Sequence, residues 1–412
     1  MVLNNKEEKK QVVPMASSKT KCLLCLQKNP IEVLNLGNQP LANKYPKKED
    51  FEKEDFFPLA TLFCTKCKNV QLGTLVSRER MFVDYYYLSS VNQGLVRHFE
   101  DLAKKLSRAK FVVDVGSNDG ILLKPLRELG IKAIGVEPSD NVSKIANDAG
   151  LTTINSFFDS KTVEKIKKEF GQPDVVVASS VFTHLENPHQ CLDDVAGLMT
   201  DDGAFIIEVE YIGNILHDIQ FERFYLDRIF YYSLTSLKNL FESHGMYISD
   251  VEKITPHGGS LRVTARKTGC DIKPTKNVEL LIEDEEQALT ISALQEFRQK
   301  VETNINAFRE MLEGYKASGL RVAAYSAPAR VATICNYGNI GPSLIEFIVD
   351  DSPLKQNRFS PGTHIPIVPK EHLDQNRPDV LVVFAYEYFD DIKKKTGGKY
   401  RYLIPIPPRE VT

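Results

Sequence analysis

The chain has 412 residues, which is too long for a single hydrophobic core and predicts two or three domains. Its 42% hydrophobic and 26% charged residues are typical of a globular protein, and its net charge of −3 argues against a broadly basic nucleic-acid-binding protein. No apolar run approaches the roughly eighteen residues that a membrane span needs. The start, MVLNNKEEKKQ, lacks the apolar core of a secretory signal, so we expect a cytoplasmic protein.

Two CxxC pairs follow residues 1–20, a charged stretch that we expect to be a disordered tail. Cys22 and Cys25 form one pair, and Cys64 and Cys67 form the other. A CxxC turn places both thiolates on one side of a tight loop, so two such turns can meet at a tetrahedral Zn²⁺. Buried thiols, disulfides and an iron–sulfur cluster are the alternatives, and a reducing cytosol disfavours disulfides. Residues 21–80 are therefore predicted to form a small domain held by a structural zinc ion.

Two later regions alternate strand-like and helix-like segments, which predicts βαβ units around a parallel sheet. In residues 81–270, valine-rich runs such as FVVDVG indicate buried strands. In residues 271–412, a polar linker and a long periodic helix from Val278 to about Ser318 precede the same pattern. The predicted fold class is α/β, with a small zinc-binding N-terminal domain followed by two Rossmann-like doubly wound α/β domains.

A glycine-containing loop follows the first strand of the 81–270 region. In VVDVGSNDG, Gly116 and Gly120 bracket a turn into a helix, and the dinucleotide fingerprint GxGxxG is absent. Acidic Asp119 disfavours a pyrophosphate but suits the sulfonium and ammonium groups of S-adenosylmethionine (SAM), and Glu137 can accept hydrogen bonds from ribose hydroxyls. A turn without a ligand and a nicotinamide cofactor are the alternatives. The predicted SAM site comprises Asp114, Gly116, Ser117, Asn118, Asp119, Gly120, Glu137, Pro138, Ala178 and Ser179, with Phe157 or Phe158 beside the adenine.

Several uncommon stretches occur in an order that resembles the nucleotide-sugar C-methyltransferases, which methylate C-3 of 4-keto-deoxy sugars carried on a nucleoside diphosphate. They extend from Cys22 to about Pro408 and include CLLC, FCTKC, DYYYLSS, VVDVGSNDG, ASSVFTHLENP, PHGGSLRV and YSAPAR. The resemblance implies a zinc domain, a SAM-dependent methyltransferase domain and a C-terminal domain that anchors the nucleotide sugar. We expect a small-molecule nucleotide sugar as the partner, no nucleic acid or membrane, and a monomer or small homo-oligomer.

The sequence departs from this family in the catalytic stretch. The family has Tyr-His-Glu-His where this chain has Tyr225-Leu226-Asp227-Arg228. Methylation at carbon requires a base that removes the proton next to the ketone. Arg228 cannot serve because its pKa exceeds about 12, but it can stabilise an enolate oxygen or bind an anionic group.

The candidate bases are therefore Tyr225, Asp227, His184 and two tyrosines that match a Tyr-x-Tyr-x-Ser stretch of the family, Tyr85 and Tyr87. The alternatives are structural. His184 can simply begin a helix, Tyr225 can be a packing residue, and Asp227 and Arg228 can form a surface ion pair.

Two more loops resemble substrate-binding parts of the family. One joins two strand-like stretches and has the residues His257, Gly259, Ser260 and Arg262. The other set lies in the C-terminal region, where a helix N-terminus can hold a diphosphate, and comprises Arg330, Lys355, Gln356 and His364. Any of these residues can also be structural.

Three functions are consistent with the sequence. The first is C-methylation of a nucleotide-linked 4-keto-deoxy sugar through an enolate, with the histidine base replaced. The second is methyl transfer to a different acceptor, a hydroxyl or an anionic sugar. The third is a relative that binds SAM or a nucleotide without catalysis. Exchange of solvent deuterium next to the ketone separates the first function from the others.

Overall fold

The N-terminal region contains a small antiparallel sheet. The computed structural model describes residues 16–17, 20–77, 81 and 88–411. Strands β2, β3 and β4 pair antiparallel in that order, and β1 pairs with β5. These strands are β1 (Ala16–Ser17), β2 (Ile31–Pro40), β3 (Phe56–Phe63), β4 (Val70–Leu72) and β5 (Thr74–Leu75), and a 3₁₀ helix, Lys48–Lys53, lies between β2 and β3.

The central region is a seven-stranded sheet of order β12-β13-β10-β9-β6-β7-β8 with helices around it. Its strands are β6 (Phe111–Val115), β7 (Lys132–Val136), β8 (Thr153–Ile154), β9 (Val175–Ser179), β10 (Ala204–Glu210), β12 (Met246–Ile254) and β13 (Ser260–Lys267). Its helices are α1 (Gln93–Lys105), α2 (Leu123–Glu128), α3 (Asp140–Asp148), α4 (Ser160–Glu169), α5 (Pro188–Leu198), α6 (Ile212–His217) and α7 (Leu234–Glu242). Short 3₁₀ helices span Ser89–Val91, Phe182–His184, Phe221–Arg223 and Pro256–Gly258. Strands β6 to β10 are parallel, and β13 is antiparallel to both of its neighbours, β10 and β12. Strands β7 and β8 lie on one side of β6 and strands β9 and β10 on the other, so the strand order reverses between β6 and β9.

One strand from the central region leaves that sheet and joins the N-terminal one. Strand β11 (Phe230–Tyr231) pairs antiparallel with β4, which gives the order β11-β4-β3-β2. The backbone N–H of Leu72 also donates to the carbonyl of Ile229 at 2.8 Å. The segment that contains the predicted catalytic residues is therefore part of the N-terminal sheet through its backbone.

The C-terminal region is a second seven-stranded sheet, of order β16-β17-β15-β14-β18-β19-β20. Its five inner strands are parallel, and its two edge strands are antiparallel. The strands are β14 (Val322–Tyr325), β15 (Ile348–Val349), β16 (Arg358–Phe359), β17 (Pro366–Val368), β18 (Val380–Val383), β19 (Arg401–Pro405) and β20 (Pro408–Val411). The helices are α8 (Lys276–Ala288), α9 (Ile291–Ala317), α10 (Arg330–Tyr337), α11 (His372–Gln375) and α12 (Phe389–Lys395), with a 3₁₀ helix, Tyr386–Tyr388.

The predicted long helix from Val278 to Ser318 is wrong in one respect, because the structure has two helices there. Helix α8 ends at Ala288, and the Thr290 side chain caps α9 by accepting from the N–H of Ala293 at 3.2 Å. Val278 and Leu281 of α8 pack into the core of the central sheet. The predicted domain limits, with a boundary near residue 271, stay a prediction.

The predicted fold class is confirmed. The inner strands of both seven-stranded sheets are buried along their length because helices cover both faces, and this explains their unbroken valine-rich sequences. In such sheets ligands bind at the carboxyl ends of the strands, where the strand order reverses. Within the described part of the chain, no helix has the length and apolar composition to cross a bilayer.

Candidate active site

The two CxxC turns form a four-sulfur cluster. The four Sγ atoms lie within 4.8 Å of one another, with Cys22 at 3.6 Å from Cys67 and Cys25 at 3.5 Å from Cys64. A tetrahedral Zn²⁺ with Zn–S bonds of about 2.3 Å requires sulfurs about 3.8 Å apart. The sulfur set therefore fits a zinc ion and leaves no ligand position for a substrate.

A cavity of about 330 Å³ opens at the carboxyl ends of both parallel sheets. All three regions line it. The N-terminal region contributes Asn43 and Tyr45, and the C-terminal region contributes Pro328, Ala329, Arg330 and Lys355. The remaining lining residues come from the central region, so a ligand in this cavity contacts all three parts of the chain.

The loop after β6 is held by the carboxylate of Glu137. Its Oε2 accepts from the N–H of Asn118 at 3.0 Å, and its Oε1 accepts from the N–H of Ser139 at 2.9 Å. Burial raises the pKa of Glu137, while these two N–H groups oppose that shift. Burial and the neighbouring Glu137 raise the pKa of Asp114 well above its usual value. This end of the cavity therefore has buried carboxyl oxygens, which can accept hydrogen bonds from ribose hydroxyls.

The structure brings seven of the ten predicted SAM residues into the cavity wall. These are Asp114, Gly116, Ser117, Asn118, Glu137, Pro138 and Ser179, and Phe157 and Phe158 accompany them. Asp119, Gly120 and Ala178 are outside the lining formed by the described residues. Oδ2 of Asp119 accepts from the N–H and the hydroxyl of Ser90 in the 3₁₀ helix Ser89–Val91, so this carboxylate has a structural partner that the sequence did not indicate.

Gly116 allows the close backbone approach that this loop needs. It has φ +71°, and a Cβ there would lie 2.1 Å from Cγ2 of Val181. We expect Gly116→Ala to weaken SAM binding at least tenfold and to lower stability by more than the ~1–2 kcal/mol cost of the left-handed conformation. Gly130 is the matched control, since its φ is +72° with nothing within 4 Å of its Cβ position. Equal losses in both variants, by calorimetry and thermal unfolding, would contradict this expectation.

The predicted catalytic residues His184, Tyr225 and Arg228 line the same cavity. Nδ1 of His184 contacts the carbonyl oxygen of Asp227, so this nitrogen bears the proton of the neutral ring, and the imidazole also interacts with the backbone of Ser180. Burial, and then the positive charge of Arg228, lower the pKa of His184 to about 4. The imidazole is therefore neutral at pH 7.

Arg228 and Asp227 do not form a surface ion pair, since both are buried and have different partners. Arg228 pairs with the fully buried Glu210 at the end of β10, and its guanidinium lies 4.7 Å from the centre of the Tyr225 ring. Asp227 accepts from Nδ2 of Asn43 at 2.6 Å and is outside the cavity lining of the described chain. Asp227 thus ties the catalytic segment to the N-terminal region. Tyr85 and Tyr87 lie outside the described residues.

Three of the eight predicted substrate residues line the cavity: His257, Arg330 and Lys355. The others have structural partners and are not part of the wall that the described residues form. Arg262 donates from Nε to Glu208 at 2.7 Å, Ser260 donates to the carbonyl of Pro256, and Gly259 lies tightly against Asn214. Gln356 donates to the carbonyl of Asp350, and His364 binds Glu54 and stacks on Phe51 at 3.6 Å.

Sequence reasoning missed Glu210, Glu222 and Arg223. Glu222 and Arg223 line the cavity, and Glu210 holds Arg228. Glu210 is the last residue of β10, in the run IIEVEY, and Asp114 is the next-to-last residue of β6. An acidic residue near the carboxyl end of a buried strand is therefore the signal that could have found Glu210. Nothing local distinguishes Glu222 and Arg223, which lie in a short 3₁₀ helix.

Comparisons with known proteins match all three regions. Family models described as a zinc binding domain, a methyltransferase domain and a C-methyltransferase C-terminal domain match residues 22–82, 87–250 and 255–407. C-methyltransferase NovU of Streptomyces niveus is 31% identical over 406 residues, covering 95% of this chain and 96% of that protein. The chain belongs to the C-methyltransferase family.

Other relatives of this C-methyltransferase family member match the central region. The mitochondrial ubiquinone biosynthesis O-methyltransferase of Arabidopsis thaliana is 29% identical over 126 residues, 29% of this chain and 39% of that protein. A solved structure of magnesium protoporphyrin IX methyltransferase (ChlM) from Synechocystis PCC 6803 with bound SAM matches 42% of this chain and 80% of that chain, with 16% identity and a TM-score of 0.33.

The family assignment agrees with the geometry of both predicted cofactor sites. The protein is a SAM-dependent methyltransferase, and its N-terminal cysteine cluster holds a structural zinc ion. The loop around Gly116 and the buried carboxyl groups of Asp114 and Glu137 fit SAM.

Proposed function

We propose that this C-methyltransferase acts on a 4-keto-deoxy sugar linked to a nucleoside diphosphate, and that it does so through an enolate. The full-length similarity to a C-methyltransferase supports methylation at carbon. The observation that carries the proposal is the shared cavity, in which a neutral histidine and an arginine lie in one wall with the SAM loop and with Arg330 and Lys355. A cytoplasmic location and a monomeric or small homo-oligomeric state stay predictions.

His184 is the proposed base. Its Nε2 takes the proton from the carbon next to the ketone, and the electron pair of that C–H bond moves into the enolate, which places negative charge on the former ketone oxygen. Bound SAM would supply the electrophilic methyl group for this carbon, and its methyl–sulfur bond would break to leave adenosylhomocysteine. A neutral imidazole is required for the proton transfer, and the burial of His184 maintains it.

Arg228 is the proposed stabiliser of the enolate oxygen. Its guanidinium keeps its charge throughout the reaction, and Glu210 fixes its position from the end of β10. Because the pair is formed before the substrate binds, little reorganisation is needed as the enolate charge develops. Arg228 thus supplies the electrostatic part of catalysis, while His184 supplies the proton transfer.

The other candidate bases are less suitable. Burial raises the pKa of Tyr225 above its usual value, so this residue stays protonated and can only donate a hydrogen bond. Asp227 accepts from Asn43 and lies behind the cavity wall that the described residues form. Of the candidate bases that the structure describes, His184 therefore combines a position in the cavity with a neutral imidazole.

A second candidate function is methylation of an anionic sugar. The observation that favours it is the presence of Arg228 in the cavity wall, where a guanidinium can bind a carboxylate with two parallel hydrogen bonds. In this case the arginine recognises the substrate and does not stabilise an enolate.

Deuterium exchange distinguishes the two functions. With adenosylhomocysteine in place of SAM, we expect a 4-keto nucleotide sugar to exchange its α proton with D₂O, observed by NMR, and we expect His184→Asn to abolish the exchange. A panel that includes keto and carboxylate sugars, analysed by mass spectrometry with SAM, identifies the methylated product. Methyl transfer to a carboxylate sugar without exchange at carbon would contradict the enolate proposal.

A further inference from the structure

Two arginines from different parts of the chain meet on one carboxylate oxygen beside the cavity. Arg223 follows β10 in the central region, and Arg330 begins α10 in the C-terminal region. Nη2 of Arg330 lies 2.7 Å from Oε1 of Glu387, and Nη2 of Arg223 contacts the same oxygen. Arg223 and Glu387 are 164 residues apart, so the pair forms only when the two regions are docked.

The two guanidinium groups are fixed by further contacts. Nε of Arg223 donates to Oε1 of Gln220 at 2.9 Å, and Gly258 leaves it space, since a Cβ there would lie 2.1 Å from Nη2 of Arg223. The guanidinium of Arg330 lies 4.8 Å from the centre of the Tyr386 ring. Such fixed guanidinium groups lose little side-chain entropy when an anion binds.

Both arginines line the cavity, whereas Glu387 is not among its described lining residues. The Glu387 carboxylate therefore binds the two guanidinium groups on the side away from the cavity, and a ligand can bind them on the side that faces it. Arg330 still has spare donor capacity, because its Nη1 is buried without a hydrogen-bond partner among the described residues. An unsatisfied buried donor next to a cavity indicates a missing acceptor.

A carboxylate lies beside these arginines in the same wall. Glu222 has a side chain with 0% exposure, and its Oε1 accepts from the hydroxyl of Tyr386 at 2.5 Å. Its Oε2 is buried and has no hydrogen-bond partner within the described part of the chain. Oε1 of this carboxylate lies 3.9 Å from Nη1 of Arg330, so the group with the spare acceptor, Oε2, neighbours the group with the spare donor.

We propose that Arg223, Arg330 and Glu222 form a subsite for the sugar-phosphate linkage of the acceptor. The arginines bind phosphate oxygens, and Oε2 of Glu222 accepts from a hydroxyl on the adjoining sugar ring. Glu387 is a positioning residue that holds the arginines of both regions in register. The proposal deepens the proposed function and depends on it for the identity of the ligand.

Two guanidinium groups beside one carboxylate favour a phosphate ester of a hydroxylated sugar ring as the ligand. A pair of guanidinium groups matches the charge and geometry of a phosphate. An inorganic phosphate binds the guanidinium groups but places its negative charge beside the Glu222 carboxylate, which opposes its binding. A phosphate ester of a hydroxylated ring satisfies both the donors and the acceptor.

Calorimetry on the full-length zinc protein saturated with adenosylhomocysteine tests the subsite. The probes are UDP and dTDP and their glucose esters, which have no keto group and do not turn over.

We expect Arg330→Gln to weaken the binding of both the diphosphates and the glucose esters at least tenfold. We expect Glu222→Gln to weaken the glucose esters about tenfold, while the diphosphates bind equally or more tightly because a negative charge is removed. An unchanged diphosphate affinity in Arg330→Gln, or equal losses for both probes in Glu222→Gln, would overturn the subsite.

The role of Glu387 has its own readout. We expect Glu387→Gln to weaken both probes three- to tenfold and Glu387→Asp to restore part of the loss, with thermal unfolding shifted by only a few degrees. Glu346→Gln is the matched control, since Glu346 pairs with Arg321 on the exposed surface of the same region, and we expect no change in affinity. Tighter binding in Glu387→Gln would show that this carboxylate competes with the ligand and would overturn its positioning role.

These measurements separate the subsite from the proposed function, because they involve no methyl transfer. If the variants behave as expected but no keto sugar undergoes deuterium exchange, the subsite stands and the enolate proposal fails. If exchange occurs in the wild type and Arg330→Gln binds the probes normally, the enolate proposal stands and the subsite fails.

Discussion

Replacing His184 with asparagine is expected to lower kcat for methyl transfer by about 10³-fold, within the range typical for loss of a general base. Asparagine keeps a donor that can bind the Asp227 carbonyl but cannot take a proton. We expect little change in SAM affinity, because His184 is not part of the loop around Gly116. Steady-state kinetics and calorimetry with adenosylhomocysteine measure the two effects separately.

His217 is the matched control for this substitution. Its side chain is 85% exposed on helix α6, and we expect His217→Asn to leave kcat unchanged. A His184→Asn variant that retains wild-type kcat would rule out the proposed base, and attention would then return to Tyr225 and to the tyrosines of the DYYYLSS stretch.

The pH dependence follows from the same buried imidazole. Its pKa is lowered to about 4, so the basic form persists and kcat/KM should not fall on the acid side near pH 6.5 through this group. In the unfolded chain the pKa returns to about 6.5. Between pH 6.5 and 4 the unfolded state then binds more protons than the folded state. The contribution of His184 to the free energy of unfolding is therefore fully present above pH 6.5 and is lost as the pH falls towards 4. Chemical denaturation of wild type and His184→Asn across this range tests the sign.

Removal of zinc is expected to abolish methyl transfer while SAM affinity changes by only a few fold. A structural zinc site contributes about 10–16 kcal/mol to folding in small zinc domains, so the N-terminal sheet should lose its order without the ion. Gln71 on β4 links the zinc cluster to the segment that contains Arg228. Its side chain accepts from the N–H of Leu23, next to Cys22, and its backbone pairs with Phe230 on β11, which follows Arg228 closely.

The SAM loop should tolerate this loss because it is built on β6 and β7 of the central sheet. Cys64→Ser should reproduce the effect of chelation, and Cys270→Ser, outside the cluster, is the matched control. Zinc content, activity and adenosylhomocysteine binding are measured on the same samples. Full activity in protein shown to be free of zinc would contradict a role of the N-terminal sheet in holding the catalytic segment.

Short-range patterns in the sequence were sufficient for much of the fold and for both cofactor sites. The spacing within each CxxC pair fixes two thiolates on one turn, and a valine-rich run that ends in a glycine turn fixes a strand, a loop and a helix start. These features depend on residues within about ten positions of one another, where backbone geometry leaves few alternatives. The α/β fold class, the zinc cluster and the loop around Gly116 could therefore be predicted from the local sequence.

The partners of charged side chains could not be predicted in this way. Asp119 is local to the SAM loop, yet its carboxylate binds Ser90, and Arg262 lies near a predicted substrate turn but pairs with Glu208. In both cases the side chain has a structural partner on another element. Orientation of a side chain depends on which element packs against it, and a single sequence does not contain that information.

Spacing and periodicity within short stretches of the sequence indicate a zinc cluster, a glycine loop for SAM and two doubly wound sheets. Which residues share the cavity depends on the tertiary structure. It joined β11 to the N-terminal sheet, placed Glu210 behind Arg228, and brought Arg223 and Arg330 to one oxygen of Glu387. These contacts form when separate regions dock, and docking is determined by burial and charge pairing summed over whole surfaces rather than by any short pattern.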